Sequence, residues 1–291
     1  MLATDLVKKL RKIEIFTKKC VSEQMAGQYH SAFKGRGMDF SEVKPYEIGD
    51  DVRHIDWNVT ARQNALYVKH FVEERQLSVY IILDLSQSMD FGSISESKKE
   101  CATEVMALLA FSAMQNNDRV GLFLYSEEKL KLIAQKKGRN HILRLIREAL
   151  AYQAPENPLA LSQAIAKVGK AVKRKSLIFV ISDFLQRPSH ELEKSLRVLA
   201  HRHDIVPIIV RDPLEDELPD LGLMLLEDPA TKRLYRFDSS NPAMRQAYKA
   251  HADKQRSAIL HMLAKAKLSP ITVYTHKASA QVLLQYFKRK G

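Results

Sequence analysis

The stretch Ile81-Ile82-Leu83-Asp84-Leu85-Ser86-Gln87-Ser88-Met89 begins inside a nearly continuous apolar run, residues 77–84, and continues five residues past its end. A run of this kind is typical of a β-strand that is covered on both faces. Asp84, Ser86 and Ser88 follow as Asp-x-Ser-x-Ser, and alternate positions in an extended turn point to the same side. The sequence therefore predicts a carboxylate and two hydroxyls grouped at the end of a buried strand.

The rest of the chain alternates strand and helix patterns around this stretch. Helices are predicted over 97–115 and 189–202 and from Asn241-Pro242 onward, and a short hairpin over 223–227 and 234–237. Further strands are predicted over residues 119–125, 129–134, 176–183, 204–211 and 271–275. This order predicts an α/β fold, in which a mostly parallel, Rossmann-type sheet is flanked by helices.

Two of the predicted strands end in a carboxylate, at Asp84 and at Asp183. Ligands of open parallel sheets lie beyond the carboxyl ends of the strands, so the two side chains are expected at one edge. Carboxylates and hydroxyls are hard oxygen ligands that suit Mg²⁺ or Mn²⁺. We predict Asp84, Ser86, Ser88 and Asp183 as metal ligands, direct or through water. The alternative is that these residues only cap a strand-to-helix turn.

Composition limits the classes of protein that the chain can belong to. Its 291 residues are 45% apolar, include only two cysteines and carry a formal net charge of +12. Few cysteines indicate a reducing compartment, and no apolar run is long enough for a transmembrane segment, so we expect a cytoplasmic protein. Lysines and arginines crowd both ends of the chain, which suggests either binding to nucleic acid or anionic lipid, or merely solvated helix faces.

The pattern of predicted elements divides the chain into an N-terminal extension of helix and strand, residues 1–75, and a sheet domain, residues 76–291. The extension contains a charged segment over residues 50–57 that could be a binding surface. Alternatively, Arg36, Arg53 and Arg62 pair with Asp50, Asp51 and Asp56 and tie the extension to the sheet domain. The single tryptophan, Trp57, is expected in a core by default.

Several motifs together resemble a known family. They are Gly35-Arg36-Gly37-Met38-Asp39-Phe40, Pro45-Tyr46-Glu47-Ile48-Gly49-Asp50-Asp51-Val52-Arg53-His54-Ile55-Asp56-Trp57, Thr60-Ala61-Arg62 and Ser182-Asp183-Phe184. With Asp84-x-Ser86-x-Ser88, they resemble the bacterial "domain of unknown function 58" family, whose members carry a von Willebrand factor A-like domain. The resemblance implies a metal-ion-dependent adhesion site formed by Asp84, Ser86, Ser88 and Asp183.

The resemblance is incomplete in the middle loop, where the family usually supplies a threonine to the metal. The corresponding stretch, residues 155–161, has Leu159 at that place. Glu156, Asn157 or Ser162 could substitute for the threonine. This departure implies weak metal binding.

The resemblance also implies a role as a protein-interaction adaptor that acts with a MoxR-type AAA+ ATPase in assembling or activating other proteins. A client protein would donate a carboxylate to the metal, and no small-molecule substrate is expected. An enzyme is disfavoured by the residues themselves. A Mg²⁺-dependent phosphohydrolase would need a second acidic residue where Ser86 stands, and no lysine lies in an obvious partnering motif.

Overall fold

A computed structural model describes residues 3–21, 23–33, 39–63, 65–72, 76–94, 96–125, 130–152, 160–185, 189–227 and 233–290. In these ranges the helices are α1 (Ala3–Cys20), α2 (Glu23–Phe33), α3 (Trp57–Gln63), α4 (Lys98–Gln115), α5 (Arg139–Ala151), α6 (Leu161–Ala171), α7 (His190–Arg202), α8 (Pro242–Lys265) and α9 (Ser279–Lys290). The strands are β1 (Asp39–Pro45), β2 (Tyr67–Val72), β3 (Ser78–Asp84), β4 (Arg119–Tyr125), β5 (Leu130–Lys136), β6 (Leu177–Ser182), β7 (Asp204–Arg211), β8 (Leu223–Glu227), β9 (Leu234–Asp238) and β10 (Ile271–Tyr274).

The chain forms two compact units. The larger consists of Met1–Phe33 and Ser78–Gly291, and the smaller of Lys34–Leu77. The predicted extension over residues 1–75 therefore includes two different parts, because α1 and α2 belong to the unit that contains the sheet. Their contacts with the helices of that unit are the physical reason, as described below.

The larger unit is built on a six-stranded sheet in the order β10-β7-β6-β3-β4-β5. All neighbouring strands are parallel except β4 and β5, which pair antiparallel. The predicted α/β fold with a mostly parallel sheet is confirmed. Its central strands carry continuous apolar runs because helices cover both of their faces, and every residue of β6 is buried.

One face of the sheet packs against α6, α7 and α8, whose apolar side chains form a single cluster with alternate residues of the strands. The other face carries α4, with α5 and α9 beside it, and α1 and α2 contact these helices. Most of α4 is buried, including its first residue, Lys98. A helix that is apolar on nearly all sides must be surrounded by protein, and α4 is.

The smaller unit pairs β1 with β2 in antiparallel fashion, with a register shift between Phe40 and Glu42. A 3-10 turn, Val52–His54, and α3 lie between the two strands. Asp56 caps α3 by accepting hydrogen bonds from the backbone N–H groups of Asn58 and Val59, at 3.0 and 3.2 Å. Capping of this kind explains why the chain turns into a helix at Trp57.

Charged residues of the smaller unit pair locally. Arg53 bonds to Asp51 of the same unit with an N–O distance of 2.9 Å, and the bond lowers the pKa of Asp51 to about 2. Asp50 also pairs with Lys44 at 3.0 Å, and Asp56 pairs with Lys69 at 3.6 Å. Arg36 lies outside the described residues.

The prediction that Trp57 lies in a core is wrong. Its side chain is 68% exposed instead of lying in a core. The reason is its place at the start of a seven-residue helix, α3, in which no residue is buried. Such a short helix in a unit of some forty residues has little apolar interior to offer.

Candidate functional site

The four predicted ligands lie at the carboxyl edge of the sheet. Asp84 is the last residue of β3, and Ser86 and Ser88 follow it, with Ser88 in a 3-10 turn, Gln87–Asp90. Asp183 comes directly after β6, the parallel neighbour of β3. The register pairs Leu83 with Ile181, so both strands reach this edge at the same level.

Asp84 is held by hydrogen bonds from two directions. Its Oδ1 accepts from the backbone N–H of Ser86 at 2.9 Å, and its Oδ2 accepts from the hydroxyl of Ser182 at 2.6 Å. The Ser86 and Ser88 hydroxyls lie 3.1 Å apart. Only 3% of Asp84 is exposed. Its carboxylate is therefore fixed in position, with one lone pair on each oxygen still free of these bonds.

Burial raises the pKa of Asp84 to about 6, and the negative charge of Asp183 contributes to the rise. The hydrogen bonds from Ser182 and Ser86 oppose it. Two carboxylates that act on each other in a water-poor site favour any cation placed between them. This electrostatic condition supports a cation site at the edge, although it does not identify the ion.

Asp183 already has a cation beside it. The ammonium of Lys98 donates to Asp183 Oδ2 at 2.7 Å, while Asp183 Oδ1 accepts from the backbone N–H of Leu185 at 3.0 Å. The same ammonium donates to Glu215. Burial disfavours the charged form of Lys98, but the two carboxylates outweigh this effect and the pKa of Lys98 is raised.

Lys98 was missed in the sequence, where it appears as one of many lysines. One weak signal marks it: it lies in the first turn of a helix, where the helix dipole disfavours a cation. Ser97 and Glu100 form a capping box that begins α4 at this residue. The lysine is therefore placed at the sheet edge by the start of the helix, and its side chain is completely buried.

Glu215 and Asp212 extend the polar contacts to the end of β7. They form a second capping box at the 3-10 turn Pro213–Glu215, a spacing that the sequence displays but that was not used. Asp212 accepts from the Ser93 backbone N–H at 2.9 Å and from the Thr275 hydroxyl at 2.9 Å. The loop after Ser88 is thereby joined to the ends of β7 and β10.

The donor set suits a hard cation better than zinc. Asp84, Ser86 and Ser88 offer oxygen atoms, and Asp183 could join directly or through water while it also holds Lys98. Within the described residues, no group of three or more histidine, cysteine, aspartate and glutamate side chains could hold a metal ion. The proposed set differs from such a group because half of it consists of hydroxyls.

The predicted middle-loop contribution lies mostly outside the described residues, because these exclude residues 153–159 and with them Glu156, Asn157 and Leu159. Ser162 is described. It lies in the first turn of α6 and is buried.

Comparison with known proteins identifies the relatives of this chain. The family described as "Protein of unknown function DUF58" matches residues 42–258. An uncharacterized protein of Mycobacterium tuberculosis, Rv1480, is 31% identical over 252 residues, which are 86% of this chain and 78% of that protein. The uncharacterized protein YeaD of Bacillus subtilis is 24% identical over 150 residues, which are 51% of this chain and 34% of that protein.

Two solved structures align with part of this chain. The protein BatB of Bacteroides thetaiotaomicron aligns at 15% identity over 74% of this chain and 98% of that chain, with a TM-score of 0.46. A von Willebrand factor type A protein of Catenulispora acidiphila aligns at 10% identity over 74% of this chain and 42% of that chain, with a TM-score of 0.37. Among the described residues, no helix is long and apolar enough to cross a membrane.

Proposed function

Because this chain belongs to the DUF58 family and its parallel sheet brings Asp84 and Asp183 to one edge, we propose that it is a non-enzymatic protein-interaction adaptor. Its candidate metal site is formed by Asp84, Ser86, Ser88 and Asp183. Mg²⁺ or Mn²⁺ bound there would present an open coordination position to a carboxylate of a partner protein.

The observation that carries the proposal is the unequal neutralisation of the two aspartates. Asp183 forms an ion pair with Lys98, whereas Asp84 has no ion-pair partner among the described residues. Its raised pKa shows that the folded protein disfavours its negative charge. A divalent cation bound to Asp84 would remove this penalty and would retain positive charge for a partner's acid.

The partners follow from the family resemblance. We propose a MoxR-type AAA+ ATPase and a client protein that offers the carboxylate, both in the cytoplasm. Few charged ligands hold the ion, so its affinity for the free protein is expected to be low. A partner's carboxylate would complete the shell and raise that affinity, which makes metal binding and partner binding mutually dependent.

Thermal unfolding in Mg²⁺ tests the metal site. A ligand that binds only the folded state at ten times its dissociation constant stabilises it by about 1.4 kcal/mol. The melting temperature of the wild type should rise by about 2–5 °C in Mg²⁺, whereas that of Asp84→Asn should not.

Asp90→Asn is the matched control for this experiment. Asp90 lies in the same 3-10 turn, but its side chain is 60% exposed and forms an ion pair with Lys99 at 3.6 Å. This variant should keep the full Mg²⁺ response. An equal response of Asp84→Asn and the wild type would refute the assignment of Asp84 as a ligand.

Partner capture tests the adaptor role. The wild type should retain the ATPase or its client in Mg²⁺ and release it in a chelator. Asp84→Asn should not retain it under either condition, and Asp90→Asn should behave as the wild type does. Retention that is unaffected by both the chelator and Asp84→Asn would show that the interaction does not use this site.

One observation favours an enzyme as the second candidate. The sequence shows no lysine in an obvious partnering motif, but the fold brings Lys98 into contact with Asp183. A Mg²⁺-dependent phosphohydrolase would use such a lysine on the substrate phosphate. Here the ammonium already bonds to two carboxylates, Asp183 and Glu215. Hydrolysis of a phosphate ester that requires Mg²⁺, Asp84 and Lys98 would establish the enzyme and overturn the adaptor.

A further inference from the structure

A basic surface lies at the opposite edge of the sheet, where the parallel strands begin. Residues Lys173, Arg174 and Lys175 precede β6 and are exposed. Residues Lys288, Arg289 and Lys290 form the last turn of α9 and are exposed as well. We call these six residues the edge cluster. It is distinct from the candidate metal site, which lies at the carboxyl ends of the strands.

Asp204, the first residue of β7, interacts with both halves of the edge cluster. Its carboxylate lies 3.5 Å from the ammonium of Lys175. It also acts electrostatically on Lys290, whose ammonium lies 4.2 Å from the centre of the Phe33 ring. Asp204 thus interacts with one cation of each half, and the six cations of the edge cluster leave a local excess of positive charge.

More basic residues continue along the same edge. Arg119 begins β4, Lys136 ends the antiparallel β5, and Lys265 and Lys267 precede β10. Cations at helix ends interact favourably with the helix dipole, which explains one such residue for each helix. It does not explain two runs of three.

The four central strands of this edge, β3, β4, β6 and β7, begin nearly level. The first residues of β3 and β4, Ser78 and Arg119, lie opposite each other. Leu177 and Asp204, the first residues of β6 and β7, are likewise paired. Neighbouring strands lie about 4.8 Å apart, so six of them span about 24 Å. The two runs of the edge cluster follow α6 and end α9, which lie on opposite faces of the sheet.

We propose that this edge docks onto the anionic phospholipid headgroups of a membrane surface. Positive charge spread over a level edge matches a plane of negative headgroups. Nucleic acid fits less well, since single strands are usually bound on aromatic platforms. The aromatic residues at the cluster, Phe33 and Tyr286, pack against the Phe287 ring instead. Attachment would be peripheral and reversible.

Sedimentation with vesicles tests the proposal. The full chain should bind vesicles that contain phosphatidylglycerol and should not bind vesicles of phosphatidylcholine alone. Each basic residue near such a surface contributes a factor of about five in affinity. The variant Lys173→Gln/Arg174→Gln/Lys175→Gln should therefore bind about a hundredfold more weakly. Salt near 1 M should abolish binding by screening.

The control removes the same charge from other surfaces. The variant Arg147→Gln/Lys194→Gln/Lys254→Gln also replaces one arginine and two lysines, all of them exposed. It should bind the anionic vesicles as the wild type does. An equal loss in both variants would overturn the proposal, because net charge alone would then account for binding.

Two further results would overturn the choice of partner. One is the absence of binding to anionic vesicles at low salt by a protein whose thermal unfolding shows that it is folded. The other is tighter binding to a DNA or RNA duplex than to the vesicles at the same salt concentration, with the loss confined to the edge-cluster variant. The second result would assign the edge to nucleic acid.

Discussion

Replacement of Lys98 by methionine should destabilise the larger unit strongly. The Lys98 ammonium is completely buried and bonds to Asp183 and Glu215, whose side chains are 3% and 13% exposed. Removal of one partner from a buried ion pair typically costs about 3–5 kcal/mol, because a buried charge is left without compensation. That is a large part of the 5–15 kcal/mol by which proteins of this kind are usually stable.

The loss of stability in Lys98→Met should be smaller at acidic pH than at alkaline pH. Burial already raises the pKa of Glu215, and Lys98 opposes that rise. Without the lysine the pKa of Glu215 should rise further, so that the folded state takes up a proton more readily than the unfolded chain. A group of this kind contributes stability at acidic pH and loses it as the pH increases through its folded pKa. The deficit of Lys98→Met should therefore be smaller at pH 5.5 than at pH 8.

Urea unfolding followed by circular dichroism at both pH values measures the effect. Lys131→Met is the control, because Lys131 forms a 2.7 Å ion pair with Glu148 while its side chain is 49% exposed. Exposed pairs contribute about 0–1 kcal/mol. The double variant Lys98→Met/Glu215→Gln should recover part of the loss. A cost no greater than that of Lys131→Met, or one independent of pH, would refute the reasoning.

Three further outcomes are expected. Because the pKa of Asp84 is about 6 in the folded protein against 3.8 ordinarily, lowering the pH from 8 to 4 in a chelator should stabilise the wild type relative to Asp84→Asn by about 2 kcal/mol; parallel curves would contradict this. Gly92→Ala should destabilise the folded protein by about 1–3 kcal/mol in urea unfolding, since the added Cβ would lie 2.5 Å from the Glu96 carbonyl oxygen. Gly27→Ala is the control, because the space around Gly27 is open. It should be neutral or should stabilise the protein by up to about 1 kcal/mol. The fluorescence of Trp57 should be quenched readily by iodide, because the side chain is 68% exposed, and a buried-type spectrum would contradict that placement.

The sheet and its carboxyl edge could be predicted because their signals are local. The runs that became β3 and β6 are continuously apolar and stop at Asp84 and at Ser182. Parallel strands align their ends, so a prediction of the strands was also a prediction that Asp84 and Asp183 come close together. Each apolar run can be recognised from a short stretch of sequence alone.

The ion pairs of Lys98 could not be predicted in this way. Asp183 and Glu215 lie 85 and 117 residues away along the chain. Only the folded sheet brings the first turn of α4 to the ends of β6 and β7. In the sequence the lysine precedes another lysine, Lys99, and resembles any charged helix start.

The smaller unit was the least predictable part for a related reason. β1 was not recognised because its pairing with β2 shifts register between Phe40 and Glu42, which interrupts simple alternation. Trp57 was assigned to a core from its residue type alone. Its exposure depends on how few neighbours the short helix α3 has.

The contacts of α4 show that the folding unit extends beyond the region matched by the sequence family. The family match begins at residue 42, after α1 and α2. Yet Gln115 and Asn116 at the end of α4 donate to the carbonyl oxygens of Val21 and Ala26, at 3.2 and 3.0 Å. A chain that begins at Lys34 would lack α1 and α2 and would expose one side of an apolar helix to water, so it should aggregate although the family motifs, which begin at Gly35, are intact.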